Sequence, residues 1–132
     1  MARGRQDYTW GVLQDVIMPG RYTSNFHDIG SGLCNSMVWT TRYEYTVPAG
    51  KRLYLAGVHI SSMLPEYCSV YLRVDGANIL AAYFLSNYIF NLGSYGSYPI
   101  EAGEVFDVRI FNYTALNMGV IVNVFGLLED TV

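Results

Sequence analysis

A chain of 132 residues fits one domain, and a domain of about this size buries roughly two-thirds of its unfolded surface in a single core. Charged residues make up 14%, apolar residues 52% and aromatics 15%, a sparse charged coat beside the about 25% of an average globular protein, so part of the apolar surface is expected to be covered by other copies or by partner proteins. The net charge is −3, Lys51 is the single lysine, and the basic residues are spread from Arg3 to Arg109 with no stripe, which argues against nucleic-acid binding.

Cys34 and Cys68 form no CxxC arrangement and are too few for a disulfide scaffold, so buried free thiols are expected rather than a bridge. No N-terminal stretch joins a basic segment to an apolar core of about 7 to 15 residues, and a secretory leader is therefore not expected. Nor does any apolar run reach the about 20 residues that span a bilayer, so no membrane partner is expected. Asn112-Tyr113-Thr114 matches a glycosylation sequon and is discounted for want of a secretion route.

Residues 1–36 carry one apolar burst, Trp10 to Met18, then a Pro19-Gly20 break and a polar, glycine-bearing run. This lead supplies an edge strand or a short helix at 8–17, or it is an arm that lies on a neighbouring subunit, because a long segment with little periodicity has few ways to fold on its own. From Met37 the chain changes character. Met37, Trp39, Tyr43, Tyr45 and Val47 form one apolar face and Thr40, Arg42, Glu44 and Thr46 the other, which is the period of a half-buried strand. In "LYLAGVHISS" Leu53 and Leu55 keep one phase and Val58 and Ile60 the other, and a β-bulge at Ala56-Gly57 reconciles them. "SVYLRV" puts Val70, Leu72 and Val74 on one side, and Asp75-Gly76 then signals a hairpin whose turn needs positive φ at both central positions.

Further on, "VFDVRIFN" turns Phe106, Val108 and Ile110 inward, and "MGVIVNVFGLLE" is apolar on both faces apart from Asn123, as a strand covered on both sides would be. Strands are thus expected near 37–47, 52–62, 68–74, 77–84, 87–92, 97–100, 105–112 and 117–127. Eight short strands separated by turn signals, with no helical interval, predict an all-β fold, an eight-stranded jelly-roll sandwich over 37–132 with residues 1–36 as an extended N-terminal arm or edge segment.

One small device occurs twice. "VPAGKRLYL" at 47–55 and "IEAGEVFDV" at 100–108 each place x-Ala-Gly and one polar residue before an alternating apolar run. Gly50 and Gly103 can take positive φ, so both read as corners that feed a long strand, with Lys51 and Glu104 nearly free to vary.

Signals for chemistry are few. A nucleophilic enzyme needs Ser or Cys with His and an acid, and neither His27 nor His59 lies in a motif of that kind. His59 is expected at a core edge or interface, and His27-Asp28 lacks the second cluster that a metal site requires. Glu101 and Glu104 flank a turn and are expected to be solvated. No catalytic residue, cofactor or metal is therefore assigned. The tyrosine-rich segment 83–100, with Tyr83, Tyr88, Tyr95 and Tyr98, has the composition of a recognition loop or, more in keeping with subunit packing, of an interface.

The series "VPAGKRLYLAGVHIS", "VYLRVDGANIL", "YPIEAGEVFDVRIFN" and a closing "VIVNVFGLLE" resembles small jelly-roll structural proteins of tailed bacteriophages and related viruses, over about residues 43–130. The resemblance implies a non-enzymatic virion component, made in the host cytoplasm: a capsid decoration or cement protein, a minor capsid protein, or a tail or fibre module. The leading expectation is a decoration protein, a homotrimer that binds major capsid protein and reinforces the head. Arg3, Arg5, Tyr8, Trp10, Met18, Tyr22 and Phe26 would then contact the partner, and Tyr88, Tyr95 and Tyr98 the neighbouring subunit. The alternative is a carbohydrate- or receptor-binding jelly-roll module of a tail or fibre. A cupin-type enzyme is disfavoured, since the His and Glu ligand sets of such a site are missing.

Overall fold

Short runs of alternating side chains become strands throughout a computed structural model of the chain, which describes residues 23–92 and 98–131. Arg3, Arg5, Tyr8, Trp10, Met18, Tyr22 and Tyr95 lie outside the described residues. The strands are β1 (Thr23–Cys34), β2 (Trp39–Thr46), β3 (Lys51–Ser62), β4 (Tyr67–Val74), β5 (Ala77–Leu85), β6 (Asn87–Asn91), β7 (Tyr98–Glu101), β8 (Val105–Asn112) and β9 (Met118–Asp130). No helix occurs among the described residues. β2 to β9 overlap the eight strands expected after Met37.

All pairings between these strands are antiparallel, in two sheets. One has the order β1-β9-β3-β6, with β7 also on β3; the other has the order β2-β8-β4-β5. β7 and β6 share one edge of β3, β7 along Arg52 to Leu55 and β6 along Gly57 to Ser61. Between the sheets lies a single core. Leu53, Leu55, Val58 and Ile60 of β3 and Val122 and Val124 of β9 meet Phe106, Val108 and Ile110 of β8 and Val70 and Leu72 of β4, all fully buried. Two packed antiparallel sheets with apolar inner faces make a β-sandwich.

β1 comes from the lead segment, residues 23–34 of which run along β9 from Thr23 opposite Glu129 to Cys34 opposite Met118. Its strand character was hidden because the inward positions are Ser24, Phe26, Asp28, Gly30, Gly32 and Cys34, mostly small or polar, so no apolar period appears. Three register shifts occur, one of them between Leu72 and Arg73 where β4 pairs with β5, and the other two bear on the expected faces. The bulge expected at Ala56-Gly57 is present, between Leu55 and Gly57. A second lies between Thr41 and Tyr43, and it overturns the expected single face of β2. Tyr43 and Val47 point into the core, whereas Trp39 pairs with Phe111 on the outer surface. At the β4–β5 hairpin Asp75 and Gly76 have φ of 51° and 81°, the two positive values its turn demands.

The repeated corners meet each other. Val47 N–H donates to Glu104 O at 3.1 Å and Gly103 N–H to Val47 O at 2.9 Å, so the turns at 48–51 and 101–104 form one end of the sandwich. Each closes from its fourth residue to its first, Lys51 N–H to Pro48 O and Glu104 N–H to Glu101 O, with glycine third at φ of 77° and 85°, as a type II turn requires. Lys51 and Glu104 are less free than the sequence suggests: Lys51 is ion-paired with Asp130, and the Glu104 carboxylate accepts the Glu101 N–H at 2.8 Å. Gly103→Val is expected to cost about 2 kcal/mol, because a β-branched residue is forced to positive φ. Lys51→Ala removes a partly exposed ion pair and is expected to cost under about 1 kcal/mol. Urea midpoints of the two variants check the contrast.

Candidate functional site

Each sheet turns its second face outward, and the two outer faces differ in chemistry. On the four-stranded sheet the outward positions include Trp39 of β2, Phe111 and Arg109 of β8, Tyr67, Ser69, Tyr71 and Arg73 of β4 and Tyr83 and Leu85 of β5. Their rings form an unbroken series. Tyr71 stacks on Trp39 with centroids 4.5 Å apart, Trp39 meets Phe111 at 5.4 Å, and Phe111 meets Tyr113, just beyond β8, at 4.6 Å. Tyr113 meets Tyr83 edge-on at 5.6 Å, and Tyr83 stacks on Tyr67 at 4.9 Å. Tyr67, Tyr113 and Tyr83 remain 48%, 46% and 61% exposed.

Polar groups are woven into this face. The Arg109 guanidinium lies 5.5 Å from the Trp39 ring, within cation–π range. Ser69 Oγ and Tyr113 Oη share a hydrogen bond of 2.9 Å. Arg73 grips Asp107 bidentately, Nε to Oδ1 at 2.9 Å and Nη2 to Oδ2 at 3.0 Å, which holds the guanidinium charged more firmly than usual and fixes both side chains. Beside the rings a shallow depression is lined by Leu64, Pro65 and Glu66 on one side and Tyr113 to Leu116 on the other.

The five-stranded sheet presents an aliphatic face instead. Ile29 and Leu33 of β1, Ile89 of β6 and Ile121, Phe125 and Leu127 of β9 are 42–64% exposed. Register aligns Ile29, Asn123, His59 and Ile89 in one row across four strands, so His59 is an outward residue of this face. The His27 ring lies flat on Phe125 at 4.8 Å with Nε2 3.2 Å from Asn123 Oδ1, while Asp28 projects to the other side and accepts the Tyr43 hydroxyl at 2.9 Å. Burial and that bond hold the Tyr43 phenol well above its ordinary pKa. At one end the aliphatic face gives way to charge, where Arg52 bonds Glu101 at 2.9 Å and reaches the buried Glu129, which also accepts from the Tyr54 hydroxyl at 3.2 Å.

Of the residues singled out from sequence as contacts, Phe26, Tyr88 and Tyr98 fall among the described residues. Phe26 is half-buried on the inner side of β1, its ring 4.8 Å from Tyr45. Tyr88 sits opposite Ile60 and packs against Phe84 and Phe90, and Tyr98 sits opposite Leu55; both lie in the inward phase at the sheet edge and stay 37% and 38% exposed. Among the described residues of the tyrosine-rich segment, Tyr83 alone joins the ring series. Trp39, Tyr67, Tyr71, Phe111 and Tyr113 escaped notice as a group because they come from four separate strands and loops. Their common signal is an aromatic in the polar phase of a strand, as Tyr71 is in "SVYLRV".

Cys34 and Cys68 are free and buried, their thiols pushed up to about 11 chiefly by desolvation. Among the described residues His, Cys, Asp and Glu gather into no group of three that could hold a metal, and no helix is long and apolar enough to cross a membrane. No protein-family model matches the chain, and a search of curated proteins finds no relative.

Proposed function

We propose that the chain is a non-enzymatic virion structural protein, a capsid decoration or cement protein that self-associates, as a homotrimer, and docks on major capsid protein. The strand orders β1-β9-β3-β6 and β2-β8-β4-β5 support a jelly-roll reading of the sandwich, since most successive strands alternate between the two sheets, as paired Greek keys require. A jelly roll leaves both outer faces free of helices and available to neighbours.

The observation that carries the reading is the aliphatic outer face of the five-stranded sheet. Outward positions of an antiparallel sheet that meets water are ordinarily polar, yet here Ile29, Leu33, Ile89, Ile121, Phe125 and Leu127 stand exposed. Cover by other copies removes that surface from water, and residues 1–22 with Arg3 and Arg5 would extend the contact onto capsid protein. The test is solution mass by light scattering. The wild-type chain is expected to be oligomeric at micromolar concentration, and Ile121→Asp with Phe125→Asp is expected to yield a folded monomer with unchanged circular dichroism. A monomeric wild type, or a variant of undiminished mass, would refute the assembly. Purified chain is also expected to bind heads stripped of it, and failure to do so would count against capsid decoration.

A further inference from the structure

We infer that the outer face of the four-stranded sheet is a binding platform for an uncharged oligosaccharide, on which sugar rings stack along the series Tyr71, Trp39, Phe111, Tyr113, Tyr83 and Tyr67. The site is separate from the aliphatic face and does not depend on the assembly read from that face.

A pyranose has an apolar face of C–H groups and a rim of hydroxyls. It therefore suits a surface that offers aromatic rings and, within reach of their edges, fixed donors and acceptors. This face has both. Its exposed apolar side chains are Tyr67, Tyr83 and Tyr113, with hydroxyl tips, and Leu85 beside Tyr67, so it is mainly aromatic, whereas the opposite face is mainly aliphatic. Between the rings stand Ser69, Arg109 and the Arg73–Asp107 fork. Rings locked by neighbouring rings, and a guanidinium locked by a bidentate carboxylate, lose little entropy when a ligand arrives.

Charge decides between ligand classes. Bases of single-stranded nucleic acid also stack on aromatics, but that mode needs unpaired cations along the backbone track. Here Arg73 is neutralised by Asp107, Arg109 lies against Trp39, and Glu44 and Glu66 border the same region. A neutral glycan therefore fits better than a polyanion. The depression beside Tyr113 is open and shallow, which suits an extended chain lying across the face rather than a small molecule enclosed in a cavity.

The chain has two tryptophans, Trp10 and Trp39, so Trp10→Phe leaves Trp39 as a fluorescent reporter within the platform. Full-length protein carrying that change would be screened on a glycan array and titrated with neutral hexaoses of glucose, galactose, mannose and N-acetylglucosamine. At least one neutral glycan is expected to bind and to shift Trp39 emission. Tyr83→Ala and Tyr113→Ala, both at exposed rings, are expected to weaken that binding at least tenfold with unchanged thermal midpoint and unchanged solution mass. Ile121→Asp, on the other face, is expected to bind the glycan as the wild type does even if it is monomeric. The proposal is overturned if no neutral glycan binds, if binding is indifferent to Tyr83→Ala, or if only polyanions bind. It is equally overturned if Tyr83→Ala lowers the solution mass, which would make this face a subunit contact.

Discussion

Asn112→Ala is expected to lower the unfolding free energy by about 3 kcal/mol, a large share of the about 5 to 15 kcal/mol typical of a domain. The Asn112 side chain is fully buried at the end of β8, and all of its hydrogen-bonding groups have partners. Its Nδ2 donates to Cys34 O at 3.0 Å and to Leu116 O at 2.7 Å, and its Oδ1 accepts the Thr114 N–H at 2.9 Å. Its backbone carbonyl accepts the Met37 N–H at 2.7 Å. One amide thus ties the end of β1, the β1–β2 connection and the β8–β9 loop together. Alanine would strand the buried Cys34 carbonyl, at about 1 to 3 kcal/mol for a buried orphan, and would leave the part-buried Thr114 N–H without its acceptor and open a cavity beside β8. Asn112→Asp should be no better, since it sets a carboxylate against two carbonyls. Both are read as a fall in urea midpoint at constant slope. An Asn112→Ala midpoint within error of wild type would show that the three side-chain bonds are not what holds this end. The sequon at Asn112 is a sequence coincidence in physical terms, because its amide nitrogen is buried and fully committed to two carbonyls.

Most of the sandwich was legible in the chain, and the exceptions have identifiable causes. β3, β4, β8 and β9 announced themselves because a strand with one buried face must repeat its apolar residues every second position. The Asp75-Gly76 turn and the Ala56-Gly57 slip were legible for a related reason: positive φ and bulges call for particular residue types. The bulge beside Arg42 carries no glycine and no phase break strong enough to see, so periodicity alone puts Trp39 on the core face. That one-residue slip concealed the ring series, since Trp39 joins Tyr71 to Phe111. The partners of a ring across a sheet depend on strand order, and strand order is not written in local periodicity. The meeting of the two Ala-Gly corners was hidden in the same way, as residues some fifty positions apart become neighbours only once β2 and β8 pair.

β9 carries the two apolar phases expected of a strand covered on both sides, with another subunit as one possible cover. Val120, Val122 and Val124 do face the core, while Ile121, Phe125 and Leu127 stand partly exposed on the outer face. Among the described residues, this strand and its neighbours on β1 and β6 thus carry a continuous part of the apolar surface that the chain's low charge implies. The opposite sheet handles its outer surface differently, with rings that satisfy one another by stacking and polar groups set between them. A single interface type would not account for two faces so unlike, and this is why assembly and ligand binding are assigned to different sheets.

Gly30→Val is expected to lower the thermal midpoint by on the order of 10 °C, through the contact of β1 with β2. β1 is an edge strand that pairs with β9 in one sheet and lies over β2 of the other. Gly30 approaches the β2 backbone closely: a Cβ there would sit 2.3 Å from the Arg42 carbonyl oxygen and 3.2 Å from Tyr43 Cβ. The first of these is backbone, in a stretch fixed by pairing with β8 and by the bulge between Thr41 and Tyr43, so it cannot swing aside as a side-chain tip could. Valine must therefore lift β1 from β2. Lifting it would part Phe26 from Tyr45 and the Tyr43 hydroxyl from Asp28, and would expose the inner side of the sandwich along that edge. Hydrogen exchange is expected to report the change first in residues 23–34, with β3 and β8 protected as before at low temperature. Loss of the aliphatic face should follow, since Ile29 and Leu33 belong to β1, and so the variant should also associate more weakly than wild type. A midpoint unchanged by valine would mean that β1 does not lie against β2 in solution.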